Sequence, residues 1–129
     1  MGERFDKALR MVLEEVDPAL LSRMRVSNKD KMYLDTQAGR WMLAHTYSYS
    51  RIAMSYVMKL AVRYNMHVAG AHRHHHGVCV APNGKYAVEL GGAFDAARMG
   101  YLHDWTNDMP EMVNGYLLIV DGRPRLPML

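Results

Sequence analysis

Glycine-bearing breaks limit the folds open to this chain more than any other feature. Thr36-Gln37-Ala38-Gly39, Pro82-Asn83-Gly84, Gly91-Gly92 and Asp121-Gly122 cut the region after residue 30 into short apolar runs. Glycine supplies the positive φ that tight turns need, and Asn-Gly between two apolar runs is a strong hairpin signal. The runs Lys31–Asp35, Arg40–His45, Met66–Gly70, Gly77–Ala81, Lys85–Gly91 and Gly115–Asp121 are of strand length. The proline-containing tail after Gly122 suits a sheet edge.

Helical spacing is confined to the first half. Phe5, Leu9, Val12, Leu13 and Val16 recur at three- and four-residue steps, which predicts an amphipathic helix over 4–16. Asp17-Pro18 ends it, because the residue before proline is pushed out of helical space. Asp17 then caps a short second helix to Met24, with Pro18 at its first position. A third helix is predicted from an N-cap at Ser50 to about Asn65. Ile52, Tyr56, Leu60 and Tyr64 mark one face, widened by Ala53, Val57 and Ala61. The fold class is therefore α/β or α+β, with N-terminal helices followed by a mostly β C-terminal half. Residues 93–114 read as irregular, anchored by Tyr101 and Trp105.

A length of 129 residues suits a single domain over 1–129. Hydrophobic residues at 50% and charged residues at 22% exclude a disordered chain. No stretch of about 20 apolar residues is present, so no membrane partner is expected. Met1-Gly2-Glu3-Arg4-Phe5-Asp6 carries charge where a signal peptide needs apolar residues, and the one cysteine, Cys79, cannot form an internal disulfide. Both point to a cytoplasmic setting. A net charge of +3, from sixteen spread Lys and Arg against thirteen Asp and Glu, is too weak to imply nucleic acid. Cys79 reads as a small core residue, and no phosphate-binding glycine loop, nucleophile elbow or Cys-x-x-Cys is present.

Four of the seven histidines fall within His72-Arg73-His74-His75-His76, just after the strand expected at Met66–Gly70. Residues two apart in extended chain project to one side, so His72 and His74 can converge on one centre. His45 also ends an apolar strand. Three neutral imidazoles suit a divalent transition metal such as Mn, Fe, Ni or Zn better than Ca. The expected metal ligands are His45, His72 and His74, with His75 and His76 outside the coordination sphere. His67 and His103 read as ordinary surface or half-buried residues. The competing reading is a solvated histidine loop that binds metal adventitiously.

The order strand–His45, helix, then Met66-His67-Val68-Ala69-Gly70-Ala71-His72-Arg73-His74 resembles the C-terminal half of calcineurin-like metallophosphoesterases, in which a short strand leads to Gly-His-x-His. Lys85-Tyr86-Ala87-Val88-Glu89-Leu90-Gly91-Gly92 resembles the family's late strand ending in Glu-x-Gly, and Trp105, Asn114-Gly115-Tyr116 and the strand to Val120-Asp121-Gly122 resemble its closing segment. The residue before the first histidine is Ala71 rather than glycine, with Gly70 one place earlier. The family's Asp-x-His, Gly-Asp-x-x-Asp and Gly-Asn-His-Asp/Glu motifs are not found in residues 1–44.

The resemblance implies a partial metallophosphoesterase-like sandwich. In it His45 and His72 bind one metal of a pair and His74 the other. Catalytic residues beyond these ligands are not identified; Asp35, Asp95, Asp104 and Asp108 are the available carboxylates, and no spacing selects among them. The function implied is the C-terminal fragment or subunit of a split phosphoesterase, active only when complemented by an N-terminal-half polypeptide. The alternative is a catalytically inactive remnant of bacteriophage type, acting as a host-binding protein in the host cytoplasm. A third is a small metal-binding module unrelated to phosphoesterases. Strand edges left open by the missing motifs imply a homodimer or a heteromer rather than a monomer.

Overall fold

The computed structural model describes residues 2–25, 30–46, 52–71, 75–92 and 113–127. Its contacts fall into two compact units, Met1–Met32 and Tyr33–Leu129.

The first unit is helical, with α1 at Gly2–Val16 and α2 at Pro18–Arg23. The break between them is local chemistry. The Asp17 carboxylate accepts the Leu20 N–H at 2.9 Å, and Pro18 occupies the first turn, where a missing N–H costs nothing. Leu9, Leu13 and Leu21 are half-buried, and no residue of 7–25 is fully buried.

The second unit carries the sheet. Its elements are β1 (Lys31–Thr36), β2 (Gly39–His45), α3 (Ser55–Tyr64), β3 (His67–Ala71), β4 (His76–Val80), β5 (Tyr86–Leu90), β6 (Leu118–Val120) and β7 (Arg123–Arg125). Five strands form one mixed sheet in the order β1-β2-β3-β5-β4, and β6 and β7 form a separate hairpin. β2 and β3 are parallel, with α3 as the connection between them, and β5 is parallel to β3. β4 returns antiparallel against β5. The fold is α+β.

The turn chemistry is as the sequence suggests. Gly84 has φ +79°, and the Gly84 N–H donates to Ala81 O at 2.8 Å to close the β4–β5 connection. Asp121 and Gly122 both have positive φ, 52° and 76°, as the mirror-image two-residue turn of a twisted hairpin requires. The strand expected at 115–121 is shortened to β6.

Two features of α3 differ from the sequence expectation. Among the described residues the helix begins at Ser55, after a left-handed Met54 with no side-chain cap; Ser50 lies outside the described residues. Its core face is centred on Val57 and Ala61, which were expected only to widen the face, with Leu60 packed against them. Val57 and Ala61 are fully buried, whereas Ile52 is 72% exposed. Small side chains win because the helix lies close on the sheet. A Cβ on Gly70 of β3 would stand 2.6 Å from Val57 Cγ1.

The core lies on both faces of the sheet. Under α3 are Met42, Val57, Ala61, Val68 and Ala87. On the other face Trp41, Ala69 and Val88 are covered by Leu43, Tyr86, Leu117, Ile119 and Leu126. The Trp41 indole donates to Gly122 O at 3.1 Å, which ties the β6–β7 turn to β2. No helix among the described residues is long and apolar enough to cross a membrane.

Candidate functional site

Because β2, β3 and β5 run the same way, their carboxyl ends lie along one edge of the sheet. Ligands collect at such edges in sheets of parallel strands. β2 ends there at His45, β3 at Ala71 and β5 at Leu90, and β4 starts there at His76, opposite Leu90. His45 is in register with Ala71, the residue before His72. The pairing continues past the strands. The Thr46 N–H donates to Ala71 O at 3.0 Å and its hydroxyl donates to the same oxygen at 3.2 Å. The chain is thus fixed where it enters the histidine run. His45 is exposed, and His72 and His74 lie outside the described residues.

The far end of the run is fixed as firmly. The Gly91 N–H donates to His75 O. The His75 ring is 3% exposed, and its Nδ1–H donates to Glu89 Oε2 at 2.9 Å. Glu89 stands between two glycines, Gly70 on β3 and Gly77 on β4. Neither neighbour projects a side chain, and Thr46, Val57 and Met54 take that room instead, each within 3.0 Å of where a Cβ on Gly70 or Gly77 would sit. Glu89 itself is 7% exposed.

His75 Nε2 is buried and has no hydrogen-bond partner among the described residues; the same holds for His76 Nε2. A buried polar atom left unpaired costs about 1–3 kcal/mol. Strand alternation puts the two rings on opposite faces: His75 with Gly77 and Glu89 on the α3 side, His76 with Leu90 on the other. The His76 ring lies against Gly115, where a Cβ would collide with it. Gly115 is held there by its N–H to Gly92 O at 3.0 Å.

The donor chemistry along this edge fits a divalent transition metal. It offers imidazole nitrogens, one of them buried, unpartnered and backed by a carboxylate, and that pattern is common among metal-ligating histidines. Among the described residues no group of three or more His, Cys, Asp or Glu side chains is close enough to hold an ion.

Other candidates fall elsewhere. Asp35 is on the far side of the β1–β2 hairpin from His45. Arg40, its partner there, is roughly 16 Å from His45 at 3.3 Å per strand residue. The Arg40 guanidinium donates to Asp35 at 2.7 Å and holds its carboxyl below the usual carboxylate range. Asp95, Asp104, Asp108 and His103 lie outside the described residues. His67 is not a surface or half-buried histidine: it is 4% exposed. Its Nδ1 accepts the Tyr86 N–H at 2.9 Å, so Nε2–H donates to Ala38 O at 2.8 Å. It packs between Trp41 and Tyr86, with ring centroids 5.0 and 5.2 Å away, as part of the core.

Cys79 is partly buried on β4, and burial, with the Glu89 charge, pushes its thiol above the ordinary value. It lines a groove of about 720 Å³ between β4 and the β6–β7 hairpin, with Val78, Val80, Val120, Arg123 and Arg125. The sequence reading passed over this groove, because only the fold brings β7 beside β4. It missed Glu89 as a partner of the histidine run for the same reason. The one available signal was the Glu-x-Gly that closes β5.

Comparison with protein-family models, with curated proteins and with solved structures found no match for this chain.

Proposed function

We propose that the chain contributes the histidine-bearing half of a calcineurin-like metallophosphoesterase site. In this reading His45, His72 and His74 hold divalent metal (Mn, Fe, Ni or Zn), and the aspartate motifs come from outside these 129 residues. The observation that carries the reading is the register of the two parallel strands, which sets His45 beside Ala71 and so beside the start of the histidine run. A bound divalent ion supplies Lewis-acid polarisation of a phosphoryl oxygen. The described residues of this chain that would position it are Thr46, which fixes the Ala71 carbonyl, and β2, which sets His45 in register with Ala71. Completion by a partner polypeptide is supported by β4, an outer strand of the sheet whose Val78 and Val80 are 48% and 60% exposed. The same exposed strand favours the second reading, a catalytically inactive protein that binds a host protein in the cytoplasm.

Purification of the chain from its native source, followed by a Mn-dependent assay with bis-(p-nitrophenyl) phosphate, tests the proposal. A complex with a polypeptide carrying Asp-x-His and Gly-Asn-His, active and inactivated by His72→Ala, is the expected result. A stable complex with a polypeptide lacking those motifs, and no hydrolysis, overturns it in favour of the second reading.

A further inference from the structure

We infer that His75, oriented by Glu89, is itself a metal ligand on the α3 side of the sheet edge. The proposal shares the transition-metal chemistry of the function proposed above but not its ligand set, in which His75 has no part. Three observations carry it. The His75 ring is 3% exposed, so water does not satisfy it from bulk. Its Nδ1–H is committed to Glu89 Oε2 at 2.9 Å, which fixes the ring orientation and leaves the Nε2 lone pair as the free donor. That Nε2 is buried with no hydrogen-bond partner among the described residues. A carboxylate behind one ring nitrogen, with the other aimed at nothing, is the arrangement by which proteins orient metal-ligating imidazoles and raise their basicity.

The backbone around the pair is built to the same end. Gly70 and Gly77 flank Glu89 on the neighbouring strands, and Val57, Thr46 and Met54 close over the room they leave. The Gly91 N–H holds the His75 carbonyl. A histidine there only for packing would not need a buried carboxylate brought to its far side. His76 is the internal control. Its Nε2 is likewise unpartnered among the described residues, but its ring rests on Gly115 on the opposite face, and none of the described carboxylates is hydrogen-bonded to it.

The test is a Zn titration of the full chain, with Co absorption as an independent readout of imidazole coordination. His75→Gln is expected to weaken binding more than about tenfold, and Glu89→Gln by about tenfold while keeping an acceptor for Nδ1–H. His76→Gln is expected to leave affinity unchanged. A merely structural role for Glu89 moves the melting temperature of the metal-free chain but not the Zn affinity of the folded protein. Wild-type affinity in folded His75→Gln overturns the proposal, as does the absence of any Zn binding by the wild-type chain at micromolar concentration. His45→Ala and His72→Ala separate this inference from the proposed function. If they abolish binding and His75→Gln does not, the phosphoesterase-like site stands and this proposal falls. If only His75→Gln abolishes it, this proposal stands and the phosphoesterase-like ligand set falls.

Discussion

The chemical character of individual side chains on β4 and β5 depends on what lies across the sheet. Cys79 shares a face with Gly77 and Glu89, so its thiol loses solvent and feels a carboxylate charge, both of which disfavour the thiolate. The folded thiol therefore ionises at higher pH than the unfolded one, whose ordinary value is about 8.5. The favoured form is neutral, so its contribution to stability is complete below the unfolded value and is lost as pH rises through the folded one. The stability of the wild type is expected to fall more steeply above pH ~8.5 than that of Cys79→Ala, and Cys79 should react with iodoacetamide more slowly than the same thiol in urea. Thermal melts across the alkaline range and the alkylation rate check both; equal rates folded and unfolded would sink the argument. The sequence classed this residue as a small core thiol, which needed only its apolar neighbours Val78 and Val80. It also placed ligating character on His72 and His74 and none on His75. Two-residue spacing finds which rings share a side but not which side faces the interior. That is decided by Glu89, fourteen positions away and brought near only by β4–β5 pairing.

At the scale of elements, what was legible followed from local chemistry and what was not followed from pairing. The Asp17-Pro18 break, the Asn83-Gly84 connection and the Asp121-Gly122 turn each rest on residues within four positions of one another, and each has its expected form. The parallel pairing of β2 with β3 has no local signature, and without it the face of α3 could not be phased. The large apolar residues Ile52 and Tyr64 are exposed, while Val57 and Ala61, expected only to widen the face, form its centre with Leu60 beside them. The cause is Gly70, which lets the helix approach until Val57 occupies the place a side chain would fill. The packing is therefore testable at that glycine. Gly70→Ala is expected to lower stability by about 1–3 kcal/mol, the usual cost of inserting a methyl group into a packed core. Combining it with Val57→Ala should return part of that loss, because the two positions share one space. Urea unfolding of the single and double variants measures the coupling; simple additivity would mean that α3 does not rest on β3 at this point.

For the molecule as a whole, the two units differ in what holds them. Among the residues whose burial is described, every fully buried one lies between Trp41 and Gly122, and none lies in 7–25. α1 is amphipathic, yet among its described residues Met11, Val12 and Val16 are 60%, 57% and 75% exposed. A 32-residue unit is below the size, about 40 residues, at which a chain folds unaided without a metal, disulfide or partner. The sheet unit has a core on each face and is closed by the Trp41–Gly122 bond and the β4–β5 connection. The two units should accordingly respond differently to being separated. A fragment beginning at Asp30 is expected to unfold cooperatively on its own, because it keeps the core on both faces of the sheet. The peptide 1–29 is expected to show little helix by circular dichroism on its own, because short helices in water are marginal without tertiary packing. If the longer fragment fails to fold, the helices supply stabilisation that their exposure does not suggest, and α1 is then part of the core. If it folds and binds Zn as the full chain does, the histidine edge belongs to the sheet alone. The apolar stripe of α1 is then free to meet a partner.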